Sequence, residues 1–129
     1  MNGFITGMLP FPGVIKNINS IDVKKISNLG KISDRGGFTK AGRGQMKHGY
    51  RGESVFKKPI GTRTQVNKIG QTTLEGILNH PNKVVVEYTH KLHCPVIEIE
   101  ASTLGGVRFT GDGNEMMGFL EPRWCIKTL

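Results

Sequence analysis

Cysteine is scarce: Cys94 and Cys125 are the only two in 129 residues. Two is too few for a disulfide framework, and neither sits in a CxxC or Cys/His ligand spacing. Buried free thiols and a cytosolic site of action are expected. No apolar run approaches the roughly 20 residues of a membrane span. The N-terminus has no basic flank and is broken by Pro10 and Pro12, so it is not a signal peptide, and no stable membrane association is expected. Acids number only ten, without the paired carboxylates followed by Glu-x-Lys of a metal-dependent nuclease core. A Walker A loop, a Rossmann glycine pattern after a strand, HExxH and GxSxG are all missing. Hydrophobic residues make up 36%, enough for one domain with a thin core.

What is abundant is positive charge, and it is concentrated. From Arg35 to Lys68 there are nine Lys or Arg against one acid, Glu53, so this block carries the chain's whole formal charge of +8. A basic block on an otherwise balanced chain fits a polyanionic partner, since each neutralised phosphate releases counterions. A solvated face that serves solubility is the alternative. Within the block, Gly36 to Phe56 mixes glycines, basic residues and one histidine, a mixture that core burial does not call for.

Residues 1–33 read as a leader or linker able to dock on the main domain, and 34–129 as that functional domain. Val14, Ile18 and Ile21 fall at helical spacing and allow a short helix there. A second short helix starts near Thr39 and runs through Lys47-His48 to Gly49, weakened by Gly42 and Gly44 unless these allow close backbone approach. The clearest helix is capped by Thr62 or Thr64, carries Val66, Ile69, Thr73, Leu74, Ile77 and Leu78 as a stripe, and ends at His80-Pro81-Asn82. After Lys83 the period becomes 2. Val84–His90, Val96–Ser102, Val107–Thr110 and Met116–Glu121 read as strands, the last two joined by the turn Gly111-Asp112-Gly113-Asn114. The expected fold is α+β, with N-terminal helices packed on a twisted four-stranded antiparallel sheet. If Val107 and Phe109 face the helix, Arg108 and Thr110 stand on an open sheet face.

His48 is the leading acid/base candidate, because an imidazole titrates near neutrality, at about 6.5 in its ordinary state. It can equally be a surface histidine in a basic segment. Arg108 can clamp a phosphate and Thr110 can bond a non-bridging oxygen; Glu98 or Glu100 is the competing cross-strand partner for both. Glu121 and Arg123 bracket Pro122 and can join such a site or pair with each other. His80 reads as a helix cap. His90 and His93 with Cys94 lack a second ligand cluster, so neither a metal nor another cofactor is expected. For RNA, a metal-free route has the 2′-OH attack its own phosphate, and that needs a base, an acid and cations.

Gly36-Gly37-Phe38-Thr39-Lys40-Ala41-Gly42-Arg43, Lys47-His48-Gly49 and Gly52-Glu53-Ser54-Val55-Phe56 form one distinctive block. Gly106-Val107-Arg108-Phe109 and Gly118-Phe119-Leu120-Glu121-Pro122-Arg123 complete it. Together they resemble C-terminal toxin domains of bacterial contact-dependent growth inhibition and polymorphic toxin systems, in the barnase/EndoU/colicin/RelE-like ribonuclease group. The resemblance covers about residues 34 to 123. It implies a metal-independent endoribonuclease acting on RNA, in particular tRNA, and leaving a 2′,3′-cyclic phosphate. It also implies export on a large parent protein, action in the cytoplasm of a target bacterium, and neutralisation by a cognate immunity protein. The basic block makes an acidic inhibitor the expected partner, with the domain otherwise monomeric. In that setting Lys47, His48, Arg108 and Thr110 are the expected catalytic residues, and Arg43, Arg51, Lys57 and Lys58 the expected RNA contacts. A non-catalytic nucleic-acid-binding module and a metal-dependent DNase are the alternatives.

Overall fold

The structure, a computed structural model, describes residues 22–122 together with the backbone of a two-residue strand, β1 (Val14–Ile15). Three helices come after it: α1 (Val23–Leu29), α2 (Lys40–Gly49) and α3 (Arg63–Leu78). Strands β2 (Val84–His90), β3 (Cys94–Glu100), β4 (Gly106–Thr110) and β5 (Met116–Leu120) come next, with a single 3-10 turn over Ser102–Leu104 between β3 and β4. The sheet is antiparallel in the order β1-β2-β3-β4-β5. The α+β arrangement with helices before a four-stranded meander is therefore present, and β1 adds a short fifth strand at its edge.

Each helix has a local cause. Asp22 caps α1 by accepting from the Lys25 N–H, and Thr39 caps α2 by accepting from the Gly42 N–H. Thr62 and Gln65 cap α3 reciprocally in a capping box. The α3 stripe then buries Leu74, Ile77 and Leu78 completely against Val85, Ile97, Ile99, Val107 and Phe109 on one sheet face. Truncating any of the three to alanine costs about 2–5 kcal/mol.

The glycines expected to weaken α2 are packing sites. A Cβ at Gly42 would collide with Asn67 Oδ1, and one at Gly70 would collide with the Ala41 carbonyl oxygen. The two helices therefore cross backbone to backbone, and Asn67 fastens the crossing by accepting from the Thr39 N–H and donating to the Gly37 carbonyl. Gly44 likewise makes room for the Phe119 ring on β5. This seats α2 directly over the last strand.

Several expectations need correction. The helix sketched over Val14, Ile18 and Ile21 is not formed at its start: Val14 and Ile15 pair with Val86 and Glu87, as β-branched residues at a sheet edge readily do. Residues 16–21 lie outside the described residues, as do Arg123 and Cys125. The helix in this region is α1, whose Ile26 is buried in the core. Ala41 and Lys40 donate backbone hydrogen bonds to the carbonyls of Gly30 and Ile32, tying the end of α1 to the start of α2. Cys94 is free but exposed, because it opens β3 at the hairpin tip. The sheet face opposite α3 is not open at its centre: Glu98 is 1% and Glu100 3% exposed. Among the described residues, no helix is long and apolar enough to cross a membrane.

Candidate active site

A cleft of about 500 Å³ opens where α2 lies over β5. Lys40, Arg43, Lys47 and His48 line it from α2, and Arg51 from the adjoining loop. Arg108 on β4 and Met116 to Glu121 along β5 form the opposite wall, and His93 lines the cleft from the β2–β3 turn. Four cations of the basic block read from the sequence, Lys40, Arg43, Lys47 and Arg51, thus line one wall of a cavity.

His48 sits in the last turn of α2, where the helix dipole favours a cation. It is 6% exposed and backed by Phe56, with ring centroids 5.0 Å apart. Phe56 in turn stacks on Phe119 at 4.9 Å. His48 Nδ1 is 2.9 Å from Glu121 Oε2. Ser54 Oγ donates to the same oxygen at 2.6 Å, and the Val55 N–H donates to Glu121 Oε1 at 3.1 Å. Ser54 Oγ also accepts from the Phe56 N–H, which closes the Ser54–Phe56 turn and holds the hydroxyl in place.

Burial alone would raise the Glu121 carboxyl, but the hydrogen bonds from Ser54, His48 and the Val55 N–H, with the charge of His48, outweigh it and hold the group below its ordinary value. It is therefore a carboxylate at neutral pH. A carboxylate facing Nδ1 requires a proton there, which leaves Nε2 as the nitrogen free to take or give one. Arg51 Nη1 lies 3.3 Å from the same Nδ1. With Nδ1 protonated toward Glu121, this guanidinium contributes charge to the pair and does not donate to the ring.

Arg108 Nε donates to Glu98 Oε2 at 2.7 Å, directly across the β3–β4 register. Tyr88 donates to the same oxygen. Arg108 thus pairs across strands through Nε and also lines the cleft, with its side chain 14% exposed. Lys47 is exposed on the wall and makes no ion pair among the described residues, whereas Arg43 pairs with Asp34 at 3.5 Å.

Of the residues singled out in the sequence, the cleft gathers Arg43, Lys47, His48, Arg51 and Arg108. Thr110 lies elsewhere. Its hydroxyl donates to Asp112 at 2.7 Å and accepts from the Glu115 N–H, so it builds the β4–β5 turn and borders a separate hollow. Lys57 and Lys58 are exposed beyond the cleft lining, and Lys58 lies over the Tyr50 ring. The residues that sequence reasoning left off the catalytic set are Glu121 and Ser54. Their signal was present in Gly52 to Phe56 and Gly118 to Pro122, two runs 67 positions apart that meet at one carboxylate. Among the described residues no group of three His, Cys, Asp or Glu side chains is placed to hold a metal ion.

Comparison with known families gives a match to the CdiA C-terminal tRNase toxin domain over residues 26–121, most of the chain. The chain belongs to this family. The matched span runs from α1 to Glu121, so both walls of the cleft fall inside the family domain. This toxin domain is a tRNA-cleaving nuclease. No curated protein and no solved structure matched the chain.

Proposed function

We propose that the toxin domain cleaves tRNA in the α2–β5 cleft by attack of a ribose 2′-OH on the adjacent phosphorus, without a metal. His48 Nε2 takes the 2′-OH proton as the O2′–P bond forms. The P–O5′ bond breaks, the departing O5′ takes up a proton, and the products are a 2′,3′-cyclic phosphate and a 5′-OH end. Glu121, held by Ser54 and Val55, keeps the imidazole in the tautomer this requires and stabilises the imidazolium that results. Arg108 and Lys47 supply charge where the pentavalent phosphorane becomes more negative, and in a cleft partly removed from water such charge acts strongly. Arg43 and Arg51 seat the flanking phosphates, with Lys57 and Lys58 meeting the strand further out. Thr110 has no part in this reading, because its hydroxyl is committed to the turn.

The observation that carries the reading is the Ser54–Glu121–His48 chain of hydrogen bonds ending in a basic cleft. A protein that only held RNA would need the cations but not an oriented imidazole. We further read the domain as the end of a larger exported protein that acts in the cytoplasm of a target bacterium. Its inhibitor would be an acidic immunity protein that covers the cleft and is steered to it by charge. Expression without an inhibitor, followed by electrophoresis of total RNA, tests the catalytic reading. Discrete tRNA fragments from the wild type and intact tRNA from His48→Ala are expected, whereas equal fragmentation by both would remove His48 from the mechanism.

A further inference from the structure

The reaction above needs an acid for the leaving O5′ as well as a base for the 2′-OH, and the cleft contains a second imidazole. We propose that His93, which the β2–β3 turn brings to the lining of the same cleft as His48, is that acid; the proposal rests on the metal-free reading of the site.

Among the groups that face the cleft, elimination leaves this one. Glu121 is a carboxylate, its oxygens taken up by His48, Ser54 and Val55, so it has no proton to give. Asp34 is engaged by Arg43. Lys40, paired with Glu115, and Lys47, which makes no ion pair among the described residues, are ammonium groups suited to supply charge. Arg43, Arg51 and Arg108 do not release protons in proteins. His48 is committed through Nδ1 to Glu121 and serves as the base. His93 remains: it lines the cleft, it is exposed, and its ring nitrogens bond to nothing among the described residues.

The turn fixes where that ring stands. The His93 N–H donates to the His90 carbonyl at 3.3 Å, and the His90 Nδ1 accepts from the Leu92 N–H at 3.0 Å. The two imidazoles lie against each other with centroids 4.6 Å apart. The next residue, Cys94, holds φ at 62°, a left-handed conformation uncommon for a non-glycine residue. In the balanced step, O5′ leaves phosphorus with the bonding electron pair and takes the proton from the His93 imidazolium, which becomes neutral.

The test uses the purified domain with its inhibitor removed and a synthetic tRNA fragment spanning the cleavage position, under single-turnover conditions. Wild type should give a bell-shaped pH–rate profile. His93→Ala should be slower by about 10²- to 10⁴-fold and lose one limb of the bell. A second substrate carries sulfur in place of the bridging O5′, so that the leaving thiolate needs no proton. On it His93→Ala and His93→Gln should recover to within about tenfold of wild type, whereas His48→Ala should not. Wild-type rates for both His93 variants on the oxygen substrate would overturn the proposal. So would slow variants that keep the full bell and gain nothing from sulfur, since that pattern marks a binding or folding role. Loss of activity in His48→Ala with none in His93→Ala would sink this proposal alone, whereas an unimpaired His48→Ala would sink the reading beneath it.

Discussion

His48 Nδ1 and Glu121 Oε2, 73 positions apart in the chain, meet at 2.9 Å, and the carboxylate so placed determines which imidazole nitrogen is available for chemistry. Glu121→Gln keeps the shape but removes the charge that fixes the tautomer. Its tRNA cleavage rate should fall by about 10²- to 10⁴-fold while binding of uncleavable tRNA changes little. Single-turnover rates with a parallel binding titration check this. Glu121→Gln at the wild-type rate would make the pair an ornament of the fold.

The same carboxylate makes stability depend on acid. Its folded-state pKa lies below the ordinary 4.5, so the native state gains from its charge above that value and loses the gain as pH falls through the folded value. With the side chain about one-third exposed, the effect is modest. Thermal unfolding of wild type and Glu121→Gln from pH 7 to pH 3 should show the wild-type advantage shrinking below about pH 4.5. An advantage that grew with acid would contradict the assignment.

Arg108 pairs with the buried Glu98 and also lines the cleft, so its substitutions should separate a structural role from the proposed catalytic one. Arg108→Ala leaves the 1% exposed Glu98 with the Tyr88 hydroxyl but without its guanidinium, and should cost roughly 1–3 kcal/mol in denaturant unfolding. Arg108→Lys retains charge and so much of the stability, but it lacks the planar fork and should still cut tRNA slowly. Lys47→Ala, at an exposed position without an ion pair among the described residues, should leave stability unchanged and lower the salt slope of tRNA binding by about one phosphate contact.

Glycine substitutions report on the helix crossing that places His48. Gly70→Ala drives a methyl into the Ala41 carbonyl and should cost about 1–3 kcal/mol, with activity falling in step as α2 shifts. Gly76→Ala, on the open side of the same helix, should stabilise by about 0.5–1 kcal/mol and leave cleavage unchanged. Chemical unfolding midpoints for the two variants decide it.

Much of the fold was legible in the sequence because it is written in period. The α3 stripe and the alternation from Val84 onward mark helix and strands, and Thr39 and Thr62 mark helix starts. The shift of β3 from Val96–Ser102 to Cys94–Glu100 is a boundary effect at a hairpin tip. Residues 22–29 were harder, since α1 has only seven residues and its hold on the core comes from Val23, Ile26 and Leu29 together with tertiary bonds from Ser27 to Gln71 and Glu75 on α3. The site was half legible. Basic residues on one segment announce themselves, so Arg43, Lys47, His48 and Arg51 were found together. Glu121 and Ser54 were not assigned because their role exists only once α2 lies over β5, a pairing set by Gly44 against Phe119. Thr110 is the opposite case: alternation places it on the same face as Arg108, but the turn next to it takes up the hydroxyl.

The chemistry of the cut ends tests the central claim most directly. Purified toxin domain should cleave tRNA in the presence of a metal chelator and leave 2′,3′-cyclic phosphate and 5′-OH ends. His48→Ala under the same conditions should be slower by at least about 10²-fold. Cleavage abolished by chelator, 5′-phosphate ends, or an undiminished His48→Ala would contradict the account.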